Sequence, residues 1–430
     1  MTVSLTKEEE RMLSGEYGPG VQKSMKLLVK VGDAYGADKM IEPKGAHLIS
    51  WEALPIVGGG LIKMISELTE GSKVRIPTTA NPFPINLEIA EEIGIPDIIV
   101  KTFEYPIRKV REIHKRIGVI PTSYSCHPHS LWSAKKGDYF AGTETAVTTF
   151  ANSWLGIRSN IEGHTTTTAA AITGKLPNYG VHFSGNRYAK VLVEFESNLD
   201  TRKFTYADYG VLAYYVGKRL GDDRIPVFNG LPENMTADHA KYMSVPFIMG
   251  CSSPMFHIVG VTPEAPTLED ALGGEKPEER IVVGKDDMKE SFEEISPNHS
   301  GAEIGHVTFG CAHCGIDEIE KIAELIKGKK VHEGVELWVN TNELAKEEAK
   351  SRGYVNMIES AGGFVVTGSC AWLAPTAMMA LRGFRGLATT SPAAAAMIER
   401  GFGLSYHTPL NVCLGSTEQC IKAAITGRWE

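Results

Sequence analysis

The sequence predicts an α/β protein of several lobes, built from parallel or mixed sheets flanked by helices. Three observations carry this. The chain has 430 residues, more than one hydrophobic core usually serves, so two or three lobes are expected. Short apolar stretches alternate with amphipathic stretches of about ten residues, the pattern of βαβ units. Composition is 43% hydrophobic and 22% charged, which suits packed globular lobes rather than disorder. The coarse lobes expected are 1–140, 141–300 and 301–430.

The first part reads as small βα pieces. Residues 23–36 place Met25, Leu28, Val29 and Val31 at helical spacing. Residues 73–86 read as a strand running into a Pro- and Asn-rich loop, and 85–94 as a helix stopped by Gly94. A short apolar strand is expected at 118–120, a buried helix over 141–157, and a small-residue helix or tight turn over 165–180. Residues 262–298 are the most polar stretch, with prolines, paired glycines and dense charge, and suggest a surface excursion or lobe boundary.

Beyond residue 300 the pattern sharpens. HVTF (306–309) is a strand, followed by Gly310-Cys311 and a helix with Ile316, Ile319, Ile322, Leu325 and Ile326 on one face. Strands follow at 335–340, 363–368 and 384–390. Asn342 can cap a helix at 343–352. Ser391-Pro392 opens an alanine-rich helix, as an N-cap followed by proline does, and Ser416 caps the last helix.

Charge and hydropathy narrow the function classes. A net charge of −8 argues against nucleic-acid or anionic-membrane partners. No run approaches the roughly 18 apolar residues a membrane helix needs. The opening MTVSLTKEEERML is acidic where a signal peptide would be basic and then apolar, so a cytoplasmic protein is expected. Seven cysteines in such a chain are expected to be free, metal-bound or catalytic rather than disulfide-paired.

Three of those cysteines share a setting. Cys126, Cys311 and Cys370 each fall just past an expected strand, and the carboxyl ends of parallel strands face one way. A helix N-terminus after Cys311 would favour its thiolate, the form that iron or zinc binds. Three thiolates suit a cluster that keeps one iron open. The alternative is that each is a small buried apolar residue, as is expected for Cys251, Cys413 and Cys420. Cys314 stays ambiguous between ligand, redox partner of Cys311 and packing. His127 and His129, in C-H-P-H after Cys126, are either zinc ligands or hydrogen-bonding loop residues, and the latter is favoured.

A set of motifs then points to a family. They are LTKEEERMLSGEYGPGVQKSM (5–25), GAH (45–47), TTANP (78–82), PTSYSC (121–126), ETAVTTFANSWLGIRSNIEG (144–163), ADYGVLAYYVGK (207–218), FHIVGVTPEAP (256–266), GCAHCG (310–315), GSCAWLAP (368–375) and GSTEQCIKAAITGRW (415–429). In order and spacing they resemble the large, cluster-bearing part of aconitase X, a branch of the aconitase superfamily, across essentially the whole chain. The resemblance implies three α/β lobes around an iron–sulfur cluster of the [3Fe-4S] or [4Fe-4S] type, or a [2Fe-2S] cluster, held by Cys126, Cys311 and Cys370. It implies a hydro-lyase acting on a small hydroxy acid. Mevalonate 5-phosphate is favoured, because the two-subunit form goes with it, and cis-3-hydroxy-L-proline is the alternative. The chain lacks a segment matching the family's small swivelling domain, so a separate small subunit is expected, carrying the family's serine base. Departures fall at His129, where the family has tyrosine, at Ile161-Glu162-Gly163-His164-Thr165 and at Gly45.

Dehydration needs a proton for the departing hydroxide and fixed donors for the substrate's negative charge. The expected catalytic residues are His47, as the acid, and Glu144, a pocket carboxylate or a helix-terminal charge. The expected substrate contacts are Thr78, Thr79 and Asn81 on a loop after a strand, with His129, Asn152, Ser153, Asn160 and Arg158, whose guanidinium suits a carboxylate. Asp208 reads as a turn residue. Two other classes compete: a zinc hydrolase on Cys126, His127 and His129, and a non-catalytic metal-binding scaffold.

Overall fold

The computed structural model describes residues 3–50, 53–54, 59–297, 299–373, 381–384, 386–399 and 411–430. Residues 374–375 of the GSCAWLAP motif and residue 385 of the expected strand at 384–390 lie outside them. The described chain forms three parallel sheets, one in each third of the sequence, with helices packed on them.

The first lobe starts with α1 (Lys7–Ser14), closed by a capping box between Thr6 and Glu9, and α2 (Pro19–Tyr35). β1 (Met40–Ile41), β2 (Ala46–Leu48), α3 (Gly59–Leu68), β3 (Thr78–Ala80) and α4 (Asp97–Ile117) follow. Next come β4 (Ala141–Gly142), α5 (Thr145–Trp154), α6 (His164–Thr173) and β5 (Leu176–Pro177). The sheet order is β3-β2-β4, all parallel. This lobe does not stop at residue 140. Ile161 bridges to Gly142, β5 pairs with β1, and α6 packs on α2 and β2, which carries the lobe to the region of residue 180.

Two expectations fail in this lobe. Residues 87–94 form successive turns rather than a helix; the Asn86 side chain caps Glu88 N–H and reaches Thr367 C=O, tying the segment to the third lobe instead. The 118–120 segment is not a strand, though Ile120 and Ser125 donate their N–H groups to Thr78 and Ala80 and so run alongside β3. An unanticipated element is α4, 21 residues long with Pro106 inside it. Its buried stripe is Ile99, Phe103, Ile107, Val110, Ile113 and Ile117. Each such side chain contributes roughly 1.5–3 kcal/mol on burial, and the stripe outweighs the ~3 kcal/mol an interior proline costs.

The second lobe holds β6 (Val191–Phe195), α7 (Tyr206–Leu220), β7 (Pro226–Phe228), α8 (Ala237–Gly250), β8 (His257–Ile258), α9 (Leu268–Leu272), β9 (Glu279–Val283) and α10 (Lys285–Ile295). The polar 262–298 stretch is thus no excursion: β9 pairs with β6 and closes the sheet β8-β7-β6-β9. Its burial alternates, as on an edge strand with one solvated face. Asp208 is the N3 residue of α7 and completes a capping box with Thr205. Helices α7 and α8 touch backbone to backbone at Gly217 and Gly250; a Cβ on Gly217 would fall 2.3 Å from Phe247 C=O.

The third lobe contains β10 (His306–Cys314), α11 (Ile316–Ile326), β11 (Glu336–Thr341), α12 (Glu343–Ser351), α13 (Tyr354–Ser360), β12 (Phe364–Thr367), β13 (Gly386–Thr389), α14 (Pro392–Glu399), β14 (Asn411–Leu414) and α15 (Thr417–Thr426). Its five strands run parallel in the order β12-β11-β10-β13-β14. Asn342 and Ser416 cap their helices as the sequence suggests. Ile319, Ile322, Ala323 and Ile326 of α11 are buried in this lobe's core, while Ile316 and Leu325 lie at its rim. No helix among the described residues is long and apolar enough to cross a membrane.

Candidate functional site

Strand β10 does not end at Phe309. Its pairing with β11 breaks between Phe309 and Cys314 and resumes at Cys314–Thr341, so residues 310–313 bulge out of the ladder. Gly310 makes the bulge possible: its φ is +99°, and a Cβ there would fall 2.2 Å from Asn340 C=O. The Cys311–Ala312 peptide within it is cis.

The bulge forms one wall of a cavity of about 370 Å³ between the lobes. Cys126 and Glu144 reach it from the first lobe, Cys311 and Cys370 from the third, and Val245 and Met249 from α8. The three thiols therefore come from two sheets, not from neighbouring strand ends of one. What joins them is an interlobe seam. Cys370 N–H donates to Phe83 C=O and Phe83 N–H to Gly368 C=O, giving a bridge between Phe83 and Ser369.

Cys370 disfavours ionisation of Cys126 and Cys311, Cys126 disfavours that of Cys311, and Glu144 adds to this at all three. Burial dominates, pushing Cys126 up to about 12, Cys311 well above its ordinary value, and Cys370 up. Opposing donors are present: His313 N–H at 3.2 Å from Cys126 Sγ, and the N–H groups of Trp372 and Leu373 at Cys370. Cys311 has the Ser391 hydroxyl, at the start of α14. The expected aid from α11 is not there: that helix starts at Ile316, and its N-cap Gly315 stands against the Asp238 carboxylate.

Cys314 is fully buried in the third-lobe core with Ile319, Cys413 and Cys420, and does not line the cavity. All seven cysteines are free. His127 and His129 line a different cavity, beside Asp238 and Asn342, with their rings 4.2 Å apart. A zinc set of Cys126, His127 and His129 is therefore not assembled: Cys126 lines the interlobe cavity and the two histidines line the other. Among the described residues no three His, Cys, Asp or Glu side chains converge as a single ion requires. A multi-iron cluster makes a different demand, since each thiolate binds a separate iron. Three thiols around one apolar-walled cavity fit that demand.

Of the two residues expected to act chemically, Glu144 lies on the cavity wall. It is the N-cap of α5 and accepts from Val147 N–H at 2.5 Å, and burial raises its pKa. His47 does not reach the cavity. Its Nδ1 is 2.9 Å from Thr79 Oγ1 and its Nε2 2.6 Å from Asn81 Oδ1, and burial lowers its pKa to about 4. With Nε2–H donating to Asn81 Oδ1, Nδ1 accepts from Thr79 O–H. His47 thus orients Asn81, which does line the cavity, and is not placed as an acid.

Most expected substrate contacts do not line this cavity and are bonded within the fold. Thr78 and Thr79 lie within β3, not on the loop after it. Thr78 O–H donates to Ile76 C=O, and Thr79 Oγ1 accepts from Trp132 Nε1–H. Asn152 binds Ser159 N–H and C=O and the Pro254 carbonyl. Ser153 Oγ accepts from Phe256 N–H. Asn160 holds Tyr179 C=O and Val181 N–H. Arg158 donates to His182 C=O and Ser184 Oγ, beside a separate cavity between the first two lobes. Polar side chains beside irregular backbone are needed to satisfy its N–H and C=O groups, and these are such residues.

The sequence reading missed His313, which lines the cavity, and the buried Lys241 behind it. The available signal was positional: a serine precedes Cys126 and Cys370, and His313 follows Cys311 by two.

Comparison with known proteins bears on this site. Family models described as aconitase X first, second and third domain match residues 2–185, 189–293 and 304–426. A phosphomevalonate dehydratase large subunit of Thermococcus kodakarensis is 35% identical over 424 residues, 98% of this chain and 99% of the relative. One from Methanosarcina mazei is 32% identical over 99% of this chain and 98% of the relative. A cis-3-hydroxy-L-proline dehydratase of Pseudomonas aeruginosa is 28% identical over 98% of this chain and 70% of its own length. The crystal structure of Thermococcus kodakaraensis aconitase X in its holo-form superposes with a TM-score of 0.82 at 34% identity, covering 98% of this chain and 100% of that one.

Proposed function

The chain belongs to the aconitase X family, and from that premise we propose that it is the large subunit of a hydro-lyase that dehydrates phosphomevalonate. The observation that carries the chemistry is the meeting of Cys126, Cys311, Cys370 and Glu144 on one cavity. The choice of substrate rests on relatives of that activity at 32–35% identity along nearly their whole length, against 28% for the hydroxyproline enzyme. A small partner subunit, of the swivelling kind, belongs to the same proposal and is supported by the relatives' designation as large subunits.

The three cysteines would hold an iron–sulfur cluster, [4Fe-4S] or its [3Fe-4S] form. When bound, it supplies a Lewis acid that assists departure of hydroxide. The chain's own residues do the rest. Glu144, among the described lining residues the one carboxyl, holds a proton near the thiols because burial favours its neutral form. Asn81, fixed through its Oδ1 by His47, turns its amide N–H₂ to the substrate as a donor. Ala146, Val245, Leu373 and Met397 make the wall apolar and limit competing water.

The test is anaerobic purification, iron and sulfide analysis, and assay with phosphomevalonate and with cis-3-hydroxy-L-proline, with and without a small subunit. Turnover of phosphomevalonate that requires the small subunit is expected. An anaerobically prepared protein without cluster absorption, or turnover of hydroxyproline alone, would overturn the reading.

A further inference from the structure

His313 uses every polar atom it has, and together they reach three segments: the Ser125–Cys126 loop twice, the loop of Ser369, and α8. Its backbone N–H donates to Cys126 Sγ at 3.2 Å. Its Nε2 lies 2.9 Å from Ser369 C=O, the residue before Cys370. Its Nδ1 lies 2.9 Å from Ser125 Oγ, the residue before Cys126. Its own carbonyl accepts from Lys241 Nζ at 2.9 Å. The residue itself sits two positions after Cys311, on the bulge of β10, and is 1% exposed.

The hydrogen-bond chemistry fixes the imidazole. A carbonyl only accepts, so Nε2 carries the proton toward Ser369. Nδ1 is then the acceptor and takes the Ser125 hydroxyl proton. Ser125 Oγ in turn accepts from His127 N–H at 2.9 Å, which sets the backbone turn that carries Cys126. The neutral ring therefore spans the two lobes, with one nitrogen on the first-lobe thiol loop and the other on the third-lobe thiol loop.

The carbonyl side is anchored equally. Lys241, on α8, is 1% exposed and is held by Asp238 at 3.0 Å and Glu318 at 2.7 Å. Second-lobe helix, third-lobe bulge and first-lobe loop are thus connected through one residue. An apolar side chain of similar size would fill the space but make none of the side-chain connections.

We propose that His313 is the positioning residue that sets the mutual placement of Cys126, Cys311 and Cys370, and so governs how firmly the three thiols grip their metal group. This rests on the reading that those thiols bind a cluster, but part of its test does not. In the metal-free protein, His313→Ala should raise the reaction rates of Cys126 and Cys370 with a thiol reagent, read by peptide mass spectrometry, while Cys420 stays unchanged. In reconstituted protein, His313→Ala should release iron to a chelator about 10–100-fold faster, the range for loss of an outer contact at a metal site. The cluster's paramagnetic resonance signature should also shift, and His313→Gln, which keeps a donor for Ser369, should restore part of both. Ser125→Ala, a smaller change, should expose Cys126 more than Cys370. Unchanged thiol rates in both variants would overturn the proposal, as would wild-type iron release and resonance in His313→Ala. If wild type takes up no cluster, the cluster reading fails, and the thiol rates still decide the role of His313.

Discussion

Lys241 Nζ lies 2.7 Å from Glu318 Oε2, and both side chains are withdrawn from water. Tyr242 donates to the other Glu318 oxygen at 2.5 Å and meets Thr390 Oγ1 at 2.7 Å, so the pair is embedded in a network joining α8, α11 and the end of β13. Removing one member leaves the other charge buried. Lys241→Met should destabilise the metal-free protein by about 3–5 kcal/mol, measured by urea unfolding. The double variant Lys241→Met/Glu318→Gln should recover a large part of that loss. Equal destabilisation in both variants would show that the ion pair is not what matters there.

The three cysteines of the cavity should behave as a unit. Cys126→Ser, Cys311→Ser and Cys370→Ser should each abolish normal cluster uptake, followed by visible absorption and iron content. Cys314→Ser and Cys251→Ser should keep the cluster, because neither lines the cavity. Cluster loss in Cys314→Ser with retention in Cys311→Ser would reassign the ligand.

Glu144→Gln keeps an acceptor for the Val147 N–H and preserves the cap of α5. It removes the proton-holding carboxyl. Turnover should fall by about 10²–10⁴-fold, the usual worth of acid–base assistance, with the cluster spectrum unchanged. Near-wild-type turnover would exclude Glu144 from the chemistry.

Glu162 provides a pH dependence separate from the cavity. It is 4% exposed, and its carboxyl is pushed up to about 7 by burial, against the hydrogen bonds from Tyr179 and Asn160. The folded state therefore binds this proton more tightly than the unfolded state does. Stability is full below the ordinary value of 4.5 and is lost as pH rises toward 7. The loss is on the order of 3 kcal/mol. Glu162→Gln, which retains an acceptor for the Tyr179 hydroxyl, should flatten the stability profile between those pH values and raise Tm above pH 7. A profile identical to wild type would show that Glu162 ionises freely in the folded protein.

The third lobe was largely legible because its strands and helices follow one another with proper caps, Asn342 and Ser416 among them. The cysteines were legible as a trio through their loop positions. The geometry that unites them was not, since periodicity says nothing about how separate sheets dock. The polar residues around 152–160 could not be resolved from sequence for a related reason: in the structure they bond backbone groups away from the thiol cavity. Buried carbonyls and N–H groups of irregular loops demand such side chains, and from sequence this demand looks the same as a binding site. His47 shows the distinction: it stands in the first sheet beside a cavity residue, yet both its nitrogens are already committed.

The interlobe origin of the thiols also sets an order on biosynthesis. Cys126 emerges from the ribosome early, Cys311 only after the second lobe, and Cys370 only when about half of the third lobe has been made. A nascent chain that stops short of Cys370 cannot offer all three sulfurs. On the proposed function, a cluster would be completed only on a chain whose first and third lobes have met at the seam between Phe83 and Ser369.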